Sequence, residues 1–160
     1  MNPAERLAEL GLALPMAAAG LGAYVPWSRS GRIVTTSGQF PWSDGSLAYR
    51  GRLGDTVSVE EGYQAARLCA LNAIAQLDDA CGGDLSRVAR VLRLEGSLLC
   101  VPDFVDHADV LNGASELMRD VFGVAGLHSR AVTGVASMPL GSPVLLYVQA
   151  EIDIEGSESP

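Results

Sequence analysis

The sequence of 160 residues contains no lysine, and its eleven basic residues are arginines spread along the chain. Nineteen acidic residues outnumber them and give a net charge of −8. Nucleic acids and anionic membrane surfaces are bound mainly through clusters of Lys and Arg, so this charge would repel both. The composition therefore predicts neither a nucleic-acid partner nor a membrane partner.

Cysteine is scarce as well, and its three residues lie far apart among apolar neighbours: Cys69, Cys81 and Cys100. An odd number of separated cysteines is typical of buried free thiols in a reducing compartment. Structural zinc sites need closely spaced ligand pairs such as CxxC, and the sequence has none. We therefore expect three buried thiols and no zinc site.

Several motifs of catalysis and phosphate binding are also missing. The sequence has no GxGxxG, GKS or GxSxG pattern, and its two histidines leave few ways to form a Ser-His-Asp triad. His107 follows Asp103 and Asp106, which is compatible with a metal site but equally with the solvated start of a helix. We favour the helix start, and we expect no metal and no cofactor.

The segment from Leu10 to Ser28 is uncharged and raises the question of an export signal. Prolines at 15 and 26 interrupt it, and Glu5 and Glu9 precede it where a signal peptide carries basic residues. A transmembrane helix would need a longer apolar run without these breaks. We expect a cytoplasmic protein.

The remaining pattern predicts one α+β domain over residues 1–160. Residues 1–23 form an extension with a short helix capped by Asn2, and residues 156–160 form a frayed tail. A long helix begins at a capping box of Ser58 and Glu61 and ends at Gly82 and Gly83. The other predicted elements are strands in GRIVTTSGQFP, SDGSLAYRG and VARVLRLEGSLLCV, a helix over Phe104–Phe122, and two strands between His128 and Ile152.

These elements follow the order ββαβαββ, with a mixed sheet and two main helices on one face. We expect the first two strands to form one hairpin and the last two, around Met-Pro-Leu-Gly, to form another. Two helices cover only one face of a sheet, so we expect an apolar second face that another subunit covers.

Three blocks resemble the YjgF/Rid family of reactive intermediate deaminases, also called endoribonuclease L-PSP or chorismate mutase-like. They are GAYVPWSRSGRIVTTSGQFP, VLNGASELMRDVFG and HSRAVTGVASMP. The resemblance runs from about Tyr24 to Ile154, and the added N-terminal helix is similar to a divergent subgroup. It implies a chorismate mutase-like subunit assembled as a homotrimer, with ligand clefts between neighbouring subunits.

The resemblance also implies the residues of the cleft. Arg130 matches the arginine that anchors a substrate carboxylate, although a surface or interface salt bridge would also explain an arginine there. Tyr24 and Asn112 match cleft residues, with a packed aromatic and a solvated polar residue as the plain alternatives. The loop of Ser37, Gly38 and Gln39 matches a site loop, and Gly38 would let the backbone approach a ligand.

One position departs from the family pattern. The resemblance places the glutamate that orients water six residues after Pro139, where this sequence has Leu145. Leucine cannot act as a general base. Val132, Leu145 and Tyr147 instead predict an apolar pocket beside Arg130, and Glu116, one helical turn after Asn112, is an alternative base.

Three functions remain open from the sequence. The first is an imine or enamine deaminase, or a related hydrolase, acting on a small carboxylate-bearing metabolite. The second is a binder or sensor of such a ligand without turnover. The third, an endoribonuclease, is disfavoured by the acidic charge and the lack of a paired histidine or carboxylate–metal constellation.

Overall fold

The structure is a computed structural model that describes residues 1–154, so the predicted tail of residues 156–160 lies outside the described residues. Three helices and seven strands follow in chain order: α1 (Pro3–Glu9), β1 (Trp27–Ser30), β2 (Ile33–Thr36), β3 (Trp42–Ser43), β4 (Ser46–Leu47), α2 (Val59–Ala80), β5 (Val88–Leu99), α3 (His107–Phe122), β6 (Ser129–Val135) and β7 (Val144–Ile152). The α+β class is confirmed.

The predicted helix starts are confirmed in detail. Asn2 caps α1 in a reciprocal capping box with Glu5, and Ser58 caps α2 in the same way with Glu61. Helix α2 ends at Ala80, and the glycines at 82 and 83 both have positive φ. The two long helices pack against each other and against one face of the sheet. The third helix prediction began three residues early, because α3 starts at His107.

The main sheet has the strand order β1-β2-β7-β5-β6. Strand β5 pairs in parallel with β6 on one side and antiparallel with β7 on the other. The predicted hairpin of the last two strands is therefore wrong, because β5 lies between them. A parallel β5-α3-β6 crossover places β6 at the sheet edge, and residues 136–143 then carry the chain back to the other side of β5.

The first hairpin also differs from the prediction. Strand β2 pairs with β1, Trp27–Ser30, whose sequence WSRS lacks the β-branched residues that would indicate a strand. The segment SDGSLAYRG does not join this sheet. Its Ser46 and Leu47 form a separate two-residue pairing with Trp42 and Ser43.

The two faces of the main sheet have different chemistry. Leu94, Leu98 and Val148 are buried beneath the helices. The alternate residues of β5 and β7 point to the face that no helix covers, where Arg93 and Glu95 form an ion pair at 2.8 Å. This face is mostly polar, so the prediction that the second face of the sheet is apolar is wrong. Among the described residues, no helix is long and apolar enough to cross a bilayer.

The three cysteines are free thiols, as predicted. Cys69 and Cys81 are buried, and burial raises the pKa of the Cys81 thiol to about 11. Cys100 is half-buried, so its predicted full burial is wrong. Asp106 precedes His107 at the start of α3, which agrees with the interpretation of DFVDHAD as a helix start.

Candidate functional site

Arg130 is the second residue of the edge strand β6, and its side chain reaches helix α3. Its Nη1 donates to Asn112 Oδ1 at 2.9 Å and to Ser115 Oγ at 3.0 Å. Its Nη2 donates to the Ala108 carbonyl at 3.3 Å. Asn112 and Ser115 lie on one helical face because they are three residues apart. The predicted pair of Arg130 and Asn112 is thus brought together.

All three of these partners are neutral. Among residues 1–154, no carboxylate lies within ion-pair distance of Arg130, whereas Arg32, Arg52 and Arg93 each have one. A guanidinium has five N–H donors, and these contacts use three of them. The described residues give no partner to Nε–H or to the second Nη2 hydrogen. Arg130 therefore keeps an uncompensated charge and a two-donor edge suited to a carboxylate.

The neighbouring Ser115 connects Arg130 to His128. Ser115 Oγ lies 2.9 Å from His128 Nε2, and His128 Nδ1 lies 2.7 Å from the carbonyl oxygen of Gly126. A carbonyl can only accept, so Nδ1 carries a proton and Nε2 of the neutral ring accepts the Ser115 hydroxyl proton. Asn112, Ser115, Glu116, His128 and Arg130 line one open surface hollow, which we call the arginine hollow.

Glu116, the predicted alternative base, also lines this hollow but is already engaged. Its Oε2 accepts a hydrogen bond of 2.5 Å from the hydroxyl of Tyr63 on α2. That hydrogen bond, together with burial and the charge of Glu116, raises the pKa of Tyr63. The carboxylate of Glu116 is thereby turned toward α2, which argues against its use as the base beside Arg130.

The other predicted cleft residues form a second group around the end of β2. Tyr24, Ser37, Gly38 and Gln39 line a small cleft with the chain at 18–21. Ser37 Oγ donates to the Val25 carbonyl at 2.6 Å, which holds the chain just after the N-terminal extension against this loop. Tyr24 is 51% exposed, so it is not a packed core aromatic. We call this group the loop cleft.

Leu145 lies against Gly38 of the loop cleft and is not part of the arginine hollow. Its side chain packs under Gly38, and Tyr147 lies beside it. Leu145 pairs with Ser97 on the uncovered face of the sheet, whereas Arg130 pairs with Leu94 on the helix-covered face. Two strand spacings, about 10 Å, also separate them sideways.

The prediction of an apolar pocket beside Arg130 is therefore wrong for a single subunit. Val132 does share the face of Arg130, because it lies two residues along β6, but it packs against the hydrophobic core. Leu145 and Tyr147 lie on the opposite face. The predicted site residues thus divide into two groups. Arg130, Asn112, Val132 and Glu116 lie on one side, and Tyr24, Ser37, Gly38 and Leu145 lie on the other.

Sequence reasoning missed two residues of the arginine hollow, Ser115 and His128. A single histidine two residues before a strand arginine carries no motif. Ser115 lies thirteen positions away on the preceding helix. One signal could have indicated them: Ser115 and His128 lie in the same two family-like sequence blocks as Asn112 and Arg130.

The match to known proteins covers almost the whole described chain. Residues 4–152 match the family model described as "YjgF/chorismate mutase-like, putative endoribonuclease". The chain belongs to the YjgF family. The predicted family and its chorismate mutase-like fold are confirmed.

Three relatives cover nearly the whole of this YjgF-family chain. Protein TCP17 of Trypanosoma cruzi is 40% identical over 151 residues, which is 94% of each chain. A crystal structure from Shewanella oneidensis, described as a "putative endoribonuclease", is 48% identical with a TM-score of 0.92, covering 95% of this chain and all of that one. The Agrobacterium tumefaciens protein Atu1372, described as of unknown function, is 41% identical with a TM-score of 0.88, covering 95% and 92%.

Proposed function

We propose that this protein binds small carboxylate-bearing metabolites through Arg130 and hydrolyses their imine or enamine group. Hydrolysis of an imine adds water to the carbon of the C=N bond, and collapse of the adduct releases ammonia and leaves a carbonyl. This is the reaction class that the resemblance to Rid deaminases implies. The chemistry requires an anion anchor beside the reacting carbon and a group that accepts a proton from water.

One observation carries the proposal, namely the isolated charge of Arg130. Other arginines of this fold use their donors on carboxylates or backbone carbonyls: Arg32 ends on Asp153 at 2.6 Å, and Arg87 donates from Nε, Nη1 and Nη2 to carbonyl oxygens. Arg130 instead is fixed by an amide, a hydroxyl and a backbone carbonyl, and a two-donor edge remains. A planar carboxylate offers two oxygen acceptors whose spacing matches that edge.

The site is proposed to be composite. The arginine hollow and the loop cleft lie on different faces and different edges of one subunit, so a ligand cannot touch both within one chain. The resemblance implies a homotrimer with clefts between subunits, and such an arrangement would place the loop cleft of one copy against the arginine hollow of the next. The acidic charge also supports a small-molecule ligand in preference to RNA.

The direct test measures ammonia and 2-oxo acid release from imino acids generated in situ from L-leucine or L-methionine by an amino-acid oxidase. The wild type should accelerate release above the spontaneous rate, and Arg130→Gln should abolish the acceleration. Arg119→Gln is the matched control, because Arg119 is exposed in the same hollow and sits 3.8 Å from Asp120. Equal rates with and without wild-type protein would reject the hydrolase proposal.

A second candidate function is a binder or sensor that uses the same anchor without turnover. The observation in its favour is Leu145, an inert side chain where the family pattern places the water-orienting glutamate. Under this alternative, benzoate or a 2-oxo acid would raise the melting temperature through Arg130, while imines would be hydrolysed only at the background rate.

A further inference from the structure

We infer that Ser115 and His128 form a proton-accepting dyad beside Arg130, which supplies the base that Leu145 cannot provide. In this dyad His128 Nε2 is the base and Ser115 Oγ is the group that faces the ligand. The reaction that the dyad would serve rests on the proposed function. The dyad itself rests on the geometry of α3, the turn at 123–126 and the start of β6.

The hydrogen bonds run in one direction through the hollow. Arg130 Nη1–H donates to Ser115 Oγ, whose hydroxyl donates to His128 Nε2, and Nδ1–H donates to the Gly126 carbonyl. The distances of 2.9 and 2.7 Å about the imidazole match those of a nucleophile or relay, its base, and a third group that orients the base. The Gly126 carbonyl takes the orienting part that a carboxylate has in a triad.

The elements that hold this geometry are short and well packed. Gly126 is buried at the end of the turn that follows α3, and a Cβ there would lie 2.2 Å from the Met118 carbonyl oxygen. This close approach, which requires glycine, holds the Gly126 carbonyl oxygen within hydrogen-bond distance of His128 Nδ1. Ser115 is half-buried on α3 and faces the open hollow together with Asn112 and Arg130.

The charges around the dyad favour loss of the Ser115 proton. Arg130 on β6 and Arg119 on α3 are the cations of the hollow, and Glu116 on α3 is its carboxylate. Since Glu116 is held by Tyr63, no carboxylate contacts the imidazole in residues 1–154. The adjacent guanidinium makes loss of the Ser115 proton easier, because it stabilises negative charge that develops on Oγ.

The proposed step balances as follows. A water molecule attacks the carbon of the protonated imine, C=NH2+, and the π electrons of the C=N bond move to nitrogen. One water proton passes to Ser115 Oγ, and the Ser115 proton passes to His128 Nε2. The resulting carbinolamine has one new C–O bond. His128 returns its proton through Ser115 to the nitrogen, and the C–N bond then breaks. The carbinolamine hydroxyl becomes the carbonyl as its proton passes to the released ammonia, which leaves as ammonium. The products are a 2-oxo acid and ammonium, and no oxidant or reductant is needed.

The first experiment compares imine hydrolysis in wild type, His128→Gln and Ser115→Ala. Glutamine places an amide nitrogen near the Nε2 position but cannot take up a proton. A general base contributes roughly a hundredfold to ten-thousandfold in rate, so both variants should lose at least about a hundredfold. His107→Gln changes the other histidine, which begins α3 and does not line the arginine hollow, and it should keep the wild-type rate. The wild-type rate should also fall at acidic pH, and that dependence should be missing in His128→Gln.

The second experiment does not depend on turnover. Phenylmethanesulfonyl fluoride sulfonylates a serine hydroxyl when a base removes its proton, with fluoride as the leaving group. Mass spectrometry should find the adduct on Ser115 in the wild type, much less in His128→Gln, and none on exposed Ser129. Benzoate affinity, measured by calorimetry, should stay within about threefold of wild type in His128→Gln, since the anchor is unchanged.

The outcomes separate the dyad from the proposed function. Ser115 labelling that depends on His128, without imine hydrolysis, would support the dyad and reject the hydrolase proposal. Imine hydrolysis that survives His128→Gln would reject the dyad and keep the hydrolase. Loss of benzoate binding in His128→Gln to the same extent as in Arg130→Gln would make His128 a positioning residue for the arginine and overturn the dyad. Absence of both hydrolysis and labelling in folded protein would overturn it as well.

Discussion

The side chain of Leu145 packs directly beneath the backbone of Gly38, so that a Cβ at position 38 would lie 2.6 Å from Leu145 Cδ1 and 3.3 Å from Tyr147 Cε1. Gly38 and Leu145, which correspond to a site-loop residue and to the water-orienting glutamate in the family pattern, are thus in contact with each other. A glutamate at 145 would meet the site loop at Gly38 and would lie on the opposite face of the sheet from the Arg130 of its own subunit.

This contact predicts a coupled effect of two substitutions. Gly38→Ala should destabilise the protein by about 1 to 3 kcal/mol, because the added methyl group overpacks against Leu145. Leu145→Ala removes the obstructing atoms, so the double variant should be more stable than the sum of the single effects, with a coupling of about 1 kcal/mol. Urea denaturation of the four proteins measures this coupling. Strict additivity would show that the loop moves away without cost.

A second prediction concerns the anchor itself. Arg130→Ala should weaken benzoate binding by on the order of 2 kcal/mol, since a charge-assisted pair is lost. Arg130→Lys should recover only part of this, because an ammonium cannot offer two parallel donors. Isothermal titration calorimetry on these variants and on Arg119→Ala gives the comparison. If all four proteins bind equally, Arg130 has a structural role only.

Signals within a few residues predicted the helices correctly. The strand order was predicted wrongly because it depends on pairing between segments that lie far apart in the sequence. The capping boxes at Asn2 and Ser58 lie within four residues of chain and can be identified directly. The partners of β5 could not be identified in this way, because a strand that follows β6 in the sequence need not pair with β6 in the sheet. His128 was missed for the same reason, since its meaning comes from contact with Ser115 on another element. Arg130, Asn112 and Gly38 were found through resemblance, and their grouping into two separate places required the fold.

The hydrogen bond between Tyr63 and Glu116 predicts a pH effect on stability. The pKa of Tyr63 is raised above its ordinary value of 10.0, chiefly by that hydrogen bond. The folded state therefore holds this proton more tightly than the unfolded state. The resulting stabilisation is fully present below pH 10.0 and is lost as pH rises through the higher folded value. Thermal unfolding across this alkaline range should show a steeper loss in wild type than in Tyr63→Phe.

Glu116→Gln isolates the cause of that shift. It removes the carboxylate that accepts the Tyr63 proton, so the tyrosinate absorbance of Tyr63 should develop at lower pH than in wild type. The difference between each protein and its Tyr63→Phe counterpart assigns the signal to this residue among the four tyrosines. An unchanged titration would mean that burial alone holds the proton.

The thiols should differ in reactivity in the order of their burial. Cys100 is half-buried, whereas Cys69 is fully buried and the pKa of Cys81 is raised to about 11. Only the thiolate reacts with iodoacetamide, so alkylation at mildly alkaline pH should modify Cys100 first. Cys69 and Cys81 should react only as fast as the protein opens. Mass spectrometry of the peptides follows all three, and Cys100→Ser should remove the fast phase.

The last prediction concerns the composite cleft. Light scattering should give a particle of about three times 16.7 kDa, as the trimer implied by the family resemblance requires.

Mixing two variants tests whether each cleft is shared between subunits. Arg130→Gln removes the arginine of the arginine hollow, and Tyr24→Asp places a repelling carboxylate in the loop cleft at an exposed position. Each variant alone should bind no benzoate. When subunits of the two are mixed by unfolding and refolding, about a quarter of the clefts should combine an intact hollow with an intact loop, if each cleft draws one half from each of two neighbours. Calorimetry should then recover about that fraction of the wild-type binding sites. If one subunit supplied both halves of its own site, every subunit in the mixture would carry a defect and no binding would return. A stable monomer by light scattering, still binding benzoate through Arg130, would show that the arginine hollow works without a neighbour.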